Sequence, residues 1–413
     1  MNAKKKVTKR QVLAWGLMCL VAVAFAVFLW QFNQIEKTPL VSTEGRTFEK
    51  ATVVSVLRDN LQEDGNRYGD QQVELQINTG ELAGQVVEAT SPNGNLFGAV
   101  CYPGRDVIAI VSISGDNHVV TVYSPDRTLA VAGFIIIFLL LLSLLGGMHG
   151  LKSAFGLIFT FVCIFFLMLP MIYMGVSPVL SAILISLITT LMTMYLIGGF
   201  SAKTFCAVVG TLAGVILAGV SAWLFGMTAD IGGYNVSNIE DLVFLGQNTP
   251  VKIGELLFAG ILISALGAVT DVAMSISSTI CEIHTQSPHL SRWQLFRSGM
   301  TVGRDVMATM ADTLVMAFAG SSLSMLVLNY AYDLSMNQIL NSSSIGIEIM
   351  QAVSGSIGIV MSVPLVSFLA ASLVPAWENH KLKKHHSAPV LEESPAESPE
   401  QEELEDLEDS TEE

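Results

Sequence analysis

Apolar residues gather along this chain into runs of about 20, the length a helix needs to cross bilayer hydrocarbon at 1.5 Å rise per residue. Between the first two runs the pattern changes to strand-like alternation. The apolar runs predict eight membrane helices, at 12–30, 129–145, 154–173, 179–197, 205–225, 254–280, 304–328 and 349–374. The first follows "MNAKKKVTKR", and Ala24-Phe25-Ala26 imitates a signal-peptide cleavage site. The run continues to Trp30, longer than a signal core, so an uncleaved anchor is expected.

The alternating segment holds five β-rich runs, "KATVVSVLR", "QQVELQI", "GQVVEAT", "DVIAIVSI" and "HVVTVY". Turn signals separate them at Asp64-Gly65-Asn66, Pro92-Asn93-Gly94, Pro103-Gly104 and Gly115-Asp116-Asn117. The expected fold is therefore a membrane α-helical bundle of about eight helices, with a small extracytoplasmic, β-rich, OB-like barrel between helices 1 and 2. Residues 1–30 form the basic N-terminus and anchor, 31–127 the β-rich module, 128–375 a seven-helix bundle and 376–413 an acidic, disordered cytoplasmic tail.

Charge refines this picture in two ways. The net charge of −15 says little about partners, because twelve acidic residues lie beyond Leu391 in a tail without Lys or Arg. Where Lys and Arg sit in the short connections does carry information. Lys4, Lys152, Lys203, Arg292, Arg297 and Lys381 are among those on one side, and only Lys252 falls in the short loops of the other. The positive-inside rule then predicts cytoplasmic N- and C-termini and an extracytoplasmic module. The five cysteines show no metal-ligand or disulfide spacing. No Gly-rich phosphate loop and no basic aromatic platform for nucleic acid appears. No cofactor or metal is expected.

Polar residues inside the last three apolar runs are the candidate chemistry. In "GAVTDVAMSISSTICEI" and the residues before it, Gly260, Ser264, Gly267, Asp271, Ser275, Ser278 and Glu282 fall within about 80° of a helix face. The next helix carries Arg304, Asp305, Thr309 and Asp312, and the last carries Gln351, Gly355, Gly358 and Ser362 on one face. An antiparallel hairpin would bring the Asp271 and Asp312 carboxyls to similar depth, and Glu282 and Asp305 within reach of Arg304. Ionisable groups at such depth are expensive and mark ion or solute paths, or serve as interhelical clamps. Gly210 and Gly214 form a small-xxx-small packing pattern. The loop from Gly226 to Lys252 reads as a solvated loop.

"TDVAMSISSTICEI" followed by "GMTVGRDVMATMADTLVMAFAG" resembles the signature of the YibE/F family of bacterial multi-pass membrane proteins. The resemblance is expected to extend through the β-rich module. Its motif residues are Asp271, Ser275, Ser277, Ser278, Gly303, Arg304, Asp305 and Thr309, and Asp312 stands where many relatives have Asn. It implies an N-terminal anchor, an extracytoplasmic module and a helical bundle in the cytoplasmic membrane, with no established substrate. Three functions are weighed. The favoured one is a transporter or channel for a small solute or ion, whose polar stripes line a path. The alternative is a non-catalytic scaffold or regulator whose outer module binds an envelope protein; a homo-oligomer is weighed as a further partner. An intramembrane aspartyl protease fits less well, because Gly-x-Gly-Asp is absent: Ala268, Val269 and Thr270 precede Asp271. The expected partners are the bilayer and an unidentified small solute or ion, without nucleic acid, and the protein is not expected to be an enzyme.

Overall fold

The computed structural model describes residues 23–40, 45–92, 98–114 and 117–386. The first half of the expected anchor and the acidic tail lie outside the described residues. The chain divides into two compact units, Met1–Ile197 with Asp230–Gly260, and Gly198–Ala229 with Ile261–Glu413.

The first unit opens with helix α1, Val23–Phe32. Five strands follow: β1 Arg46–Arg58, β2 Gln71–Ile77, β3 Val86–Ser91, β4 Asp106–Ser114 and β5 Asn117–Pro125. They close into a barrel in the order β1-β2-β3-β5-β4, with β3 and β5 parallel and the other pairs antiparallel. Alternation sets the inside: Val73, Leu75 and Ile77 of β2 and Val107, Ala109 and Val111 of β4 are buried in one aliphatic core. Buried Gln71 is satisfied on both ends of its amide. Its Nε2 donates to Asp59 Oδ1 (2.8 Å), and its Oε1 accepts from Cys101 N (2.8 Å). Two ion pairs form among the described residues of the barrel, Lys50 with Asp126 at 3.0 Å and Arg67 with Asp59.

Helix α2, Thr128–Cys163, leaves the barrel and runs through a π-turn at Ile164–Met168 into α3, Leu169–Tyr173. Pro170 explains the irregular turn. It has no N–H for the Phe166 carbonyl, which accepts instead from Asn33 Nδ2 at 2.7 Å. Together with the Phe25–Phe159 ring contact (5.5 Å), this aligns α1 parallel to the second half of α2. α2 is broken at Gly147, whose φ of 54° and ψ of −135° lie outside helical space. Around that break a Cβ on Gly150 would stand 2.0 Å from the Leu142 carbonyl oxygen, an approach impossible across eight residues of straight helix. α4, Pro178–Gly198, packs on α2 where Gly156 leaves room for Thr193. The segment between the long helices carries α6, Ile239–Asn248, and Glu255 accepts from Ser177 Oγ. The loop expected there is thus partly helical.

The second unit holds α5 (Ala202–Ala229), most of α7 (Leu256–Gln286), α8 (Arg292–Ser321), α9 (Leu323–Ala331), α10 (Met336–Leu340) and α11 (Ser343–His386). A capping box between Ser291 and Gln294 starts α8 well before the apolar run. Glycines let these helices approach closely. A Cβ on Gly210 would lie 2.1 Å from Val366, and one on Gly303 would lie 2.3 Å from Val363. The packing expected of Gly210 and Gly214 is therefore present on α5.

Five described helical stretches are long and apolar enough to cross a membrane, or six if α8 and α9, bent by 59°, count as one broken span. The eight expected spans are not matched one by one, for two reasons. The runs at 129–145 and 154–173 fall in the single stretch Thr128–Tyr173, and only residues 23–30 of the first span are described as helix.

Candidate functional site

α7 and α8 form an antiparallel pair through Gly303 against Ile276 (3.2 Å to Cδ1) and Gly299 against Ile280 (2.6 Å to Cδ1). Ile280 fills the space of the missing side chain at Gly299, and Val363 of α11 does so at Gly303 with Ile276 beside it. The two contacts fix the register. Arg304 lies level with Ser275, and Asp271 lies level with Ala308. Asp312 is then displaced from Asp271 by four residues, about 6 Å, and Asp305 by three, about 4.5 Å in the other direction. The two carboxyls expected at one depth thus stand about a helical turn apart.

Burial along α7 separates the two faces completely. Leu262, Leu266, Val269, Ala273, Ile276 and Ile280 are buried, while Gly260, Ser264, Gly267, Asp271, Ser275 and Glu282 are exposed and Ser278 is half-buried. On α8, Leu295, Gly299 and Gly303 face inward. Arg304, Asp305, Thr309 and Asp312 are exposed. Asp271, Arg304, Asp305 and Asp312 make no ion pair among the described residues. Glu282 does not reach Arg304. It accepts from Gln286 Nε2 at 2.9 Å, one turn along its own helix. Thr309 turns its hydroxyl back to the Val306 carbonyl (3.0 Å).

The stripe on α11 has the opposite fate. Gly355, Gly358 and Ser362 are buried and Gln351 is half-buried. A Cβ on Gly358 would meet the Gly214 carbonyl oxygen and Ala218 Cβ at 2.8 Å, and one on Gly355 would meet Leu314 at 2.6 Å. Ser362 donates to the Ile359 carbonyl at 2.7 Å. This stripe is a closed seam between helices. Beside it, Ala311, Asp312 and Val315 of α8 and Val353, Ile357 and Val360 of α11 line a groove of about 430 Å³, in which Asp312 is the one charged group.

One carboxylate escaped the sequence reading. Glu348, in the second turn of α11, is half-buried, and its Oε2 has no partner among the described residues. The available signal was an acidic residue just outside the apolar run predicted to begin at 349. Among the described residues no three His, Cys, Asp or Glu side chains are grouped to hold a metal ion.

A family model described as YibE/F-like protein matches residues 134–376. That range includes every candidate on α7, α8 and α11 and excludes the barrel, so the likeness expected to run through the β-rich module begins after it. Searches of curated proteins and of solved structures gave no match.

Proposed function

Because the chain belongs to the YibE/F-like protein family and carries several helices able to span a bilayer, we propose that it is a transporter or channel for a small solute or ion in the bacterial cytoplasmic membrane. It acts without covalent chemistry, and its path follows the polar faces of α7 and α8. The observation that carries this reading is Asp271. It sits in the middle of a 31-residue helix, exposed and without an ion-pair partner among the described residues, with Asp305 and Asp312 about a turn to either side. A carboxylate at the bilayer centre costs about 3 kcal/mol on insertion scales, so a face that keeps three of them beside Arg304 has to meet water or protein rather than lipid. The seam on α11 braces this face and contributes the groove that holds Asp312.

The topology that goes with this reading has eight spans, cytoplasmic termini and an OB-like barrel outside. The bias of Lys and Arg, the break at Gly147 and the parallel run of α1 beside the second half of α2 support it. The closed order β1-β2-β3-β5-β4 supports the OB-like assignment.

A scaffold reading has one observation in its favour. Phe48 and Tyr123 stack edge to face at 5.2 Å on the outer surface of the barrel, and both are exposed, as an aromatic docking point for an envelope protein would be.

Proteoliposome flux over a panel of ions and small solutes separates the two. Asp271→Asn keeps size and hydrogen bonding and removes the charge, so flux should fall about tenfold or more while membrane levels stay at wild type. Asp312→Asn should cost less, because Asp312 sits in an otherwise apolar groove. Equal and full flux in both variants would leave the scaffold reading standing.

A further inference from the structure

The barrel passes into α2 with almost no linker. β5 stops at Pro125 and α2 starts at Thr128, with Asp126 and Arg127 between them. Asp126 ties this joint together. Its N–H donates to the Asp106 carbonyl (3.1 Å), its Oδ1 accepts from Thr128 N (2.9 Å), and its Oδ2 pairs with Lys50 at 3.0 Å. The helix therefore leaves a fixed point of the barrel rather than a swinging tether. Arg127 is the last charged residue before the apolar run that begins at Leu129, so the hydrocarbon boundary falls here.

One turn of the barrel stands at the same level. In Tyr102-Pro103-Gly104-Arg105 the proline presets the second position, and Gly104 takes the φ of +84° that a type II turn requires at the third. Arg105 N–H closes the turn onto the Tyr102 carbonyl at 3.1 Å. β1 holds it in place, because Gly104 N donates to Val53 O (2.8 Å) and Val53 N donates to Arg105 O (2.9 Å). Arg105 adjoins Asp106 and Arg127 adjoins Asp126, and those two aspartates are hydrogen-bonded neighbours. Two Cα steps and one strand spacing then put Arg105 within about 13 Å of Arg127. The headgroup zone of a bilayer is about 5–7 Å deep on each side, and an arginine side chain can span that depth.

The side chains of the turn suit that zone. Tyr102 is 56% exposed, Arg105 lies over its ring at 5.1 Å, and Val54 beside the turn is 44% exposed. Tyrosine collects at the headgroup level because its ring is apolar and its hydroxyl is wet. Arg105 donates from Nη1 to the Val100 carbonyl, and its other guanidinium nitrogens have no hydrogen-bond partner among the described residues, which leaves them for a phosphate. The joint selects the occupant: the bilayer that α2 enters lies at this end of the barrel. β1, β4, β5 and α2 all belong to one compact unit.

We propose that the Tyr102–Arg105 turn is a lipid foot, with the Tyr102 ring at the glycerol level of the bilayer and Arg105 and Arg127 on phospholipid headgroup phosphates. It holds the barrel end-on at the membrane surface, and it does so whether the helices form a path or a scaffold.

The test places a single tryptophan in the full-length chain, with the five native ones changed to Phe, in phosphatidylcholine vesicles. Tyr102→Trp should lose most of its emission when the phospholipid is brominated near the glycerol end of its chains, and should be shielded from acrylamide in the water. Val119→Trp, at a position 65% exposed and about 20 Å from Pro125 along β5, should behave in the opposite way. A second measurement avoids the Phe background. A photoreactive phenylalanine analogue at 102 in the otherwise unchanged chain should capture phospholipid in its own membranes, and the same analogue at 119 should not.

Quenching at 102 by acrylamide alone would make the turn a solvated loop and overturn the proposal. Quenching by neither agent, or capture of protein in place of phospholipid, would show the turn covered by protein and overturn it as well. Equal quenching by lipid at 102 and 119 would lay the barrel on its side and remove the foot.

Discussion

Two stripes of small and polar residues, one on α7 and one on α11, are written in the same helical code and end up on opposite sides of their helices. On α11 the small residues are filled: Ala218, Leu314 and the Gly214 carbonyl occupy the space left by Gly355 and Gly358. On α7 they are empty, and the ridge from Ser264 through Asp271 to Glu282 is exposed. Periodicity assigns residues to a face but does not say what covers that face. In water the apolar side goes inward because solvent rejects it. In lipid both sides are tolerated, so the deciding contacts are close backbone approach and polar partners.

The comparison breaks first if the two stripes respond alike to bulk. Gly358→Leu drives a side chain into the Gly214 carbonyl and Ala218, contacts on a helix of the same unit that have no slack. Overpacking of this kind costs about 3 kcal/mol, so the variant should be depleted from the membrane or lose its thermal transition in detergent. Gly267→Leu meets open space and should fold at wild-type levels. Depletion of both, or of neither, would erase the distinction between seam and ridge.

The smallest expected effect lies in the barrel, where charges behave conventionally. The Thr128 hydroxyl, its amide and Lys50 hold the Asp126 carboxyl at about 2, below the ordinary 3.8. A depressed carboxylate contributes stability that is complete above its unfolded value and is lost as pH falls toward the folded one. Thermal unfolding of the wild type should therefore weaken between about pH 4 and pH 2 more than that of Asp126→Asn. The difference is small, because Lys50 is exposed and water screens the pair.

How much of this was legible follows from the same physics. The five strands were readable nearly to their ends, because a β surface between water and an aliphatic core must alternate: "QQVELQI" is β2 residue for residue. The parallel pairing of β3 with β5 and the closure of β1 on β4 were not, since no local signal encodes contacts between distant strands. The faces of α7, α8 and α11 were readable from spacing alone. Which of them is filled was not, because that depends on residues of other helices: Val363 beside Gly303, Leu314 beside Gly355 and Ala218 beside Gly358. The expected meeting of Asp271 with Asp312 assumed a hairpin register that the contacts of Gly299 and Gly303 shift by about a turn. Glu348 was passed over because a predicted span edge hid it.

Solvent access at two matched serines tests the account most directly. In a cysteine-free chain, Ser275→Cys on the α7 ridge and Ser362→Cys in the α11 seam are near-isosteric changes at exposed and fully buried positions respectively. Membranes are treated with a small water-soluble thiol reagent, and the extent of labelling is measured at each site. The account predicts labelling at 275, because a polar ridge carrying Asp271 and Glu282 meets water, and none at 362, where helices close the seam. Labelling at 362 with protection at 275 would contradict it and move the path to α11.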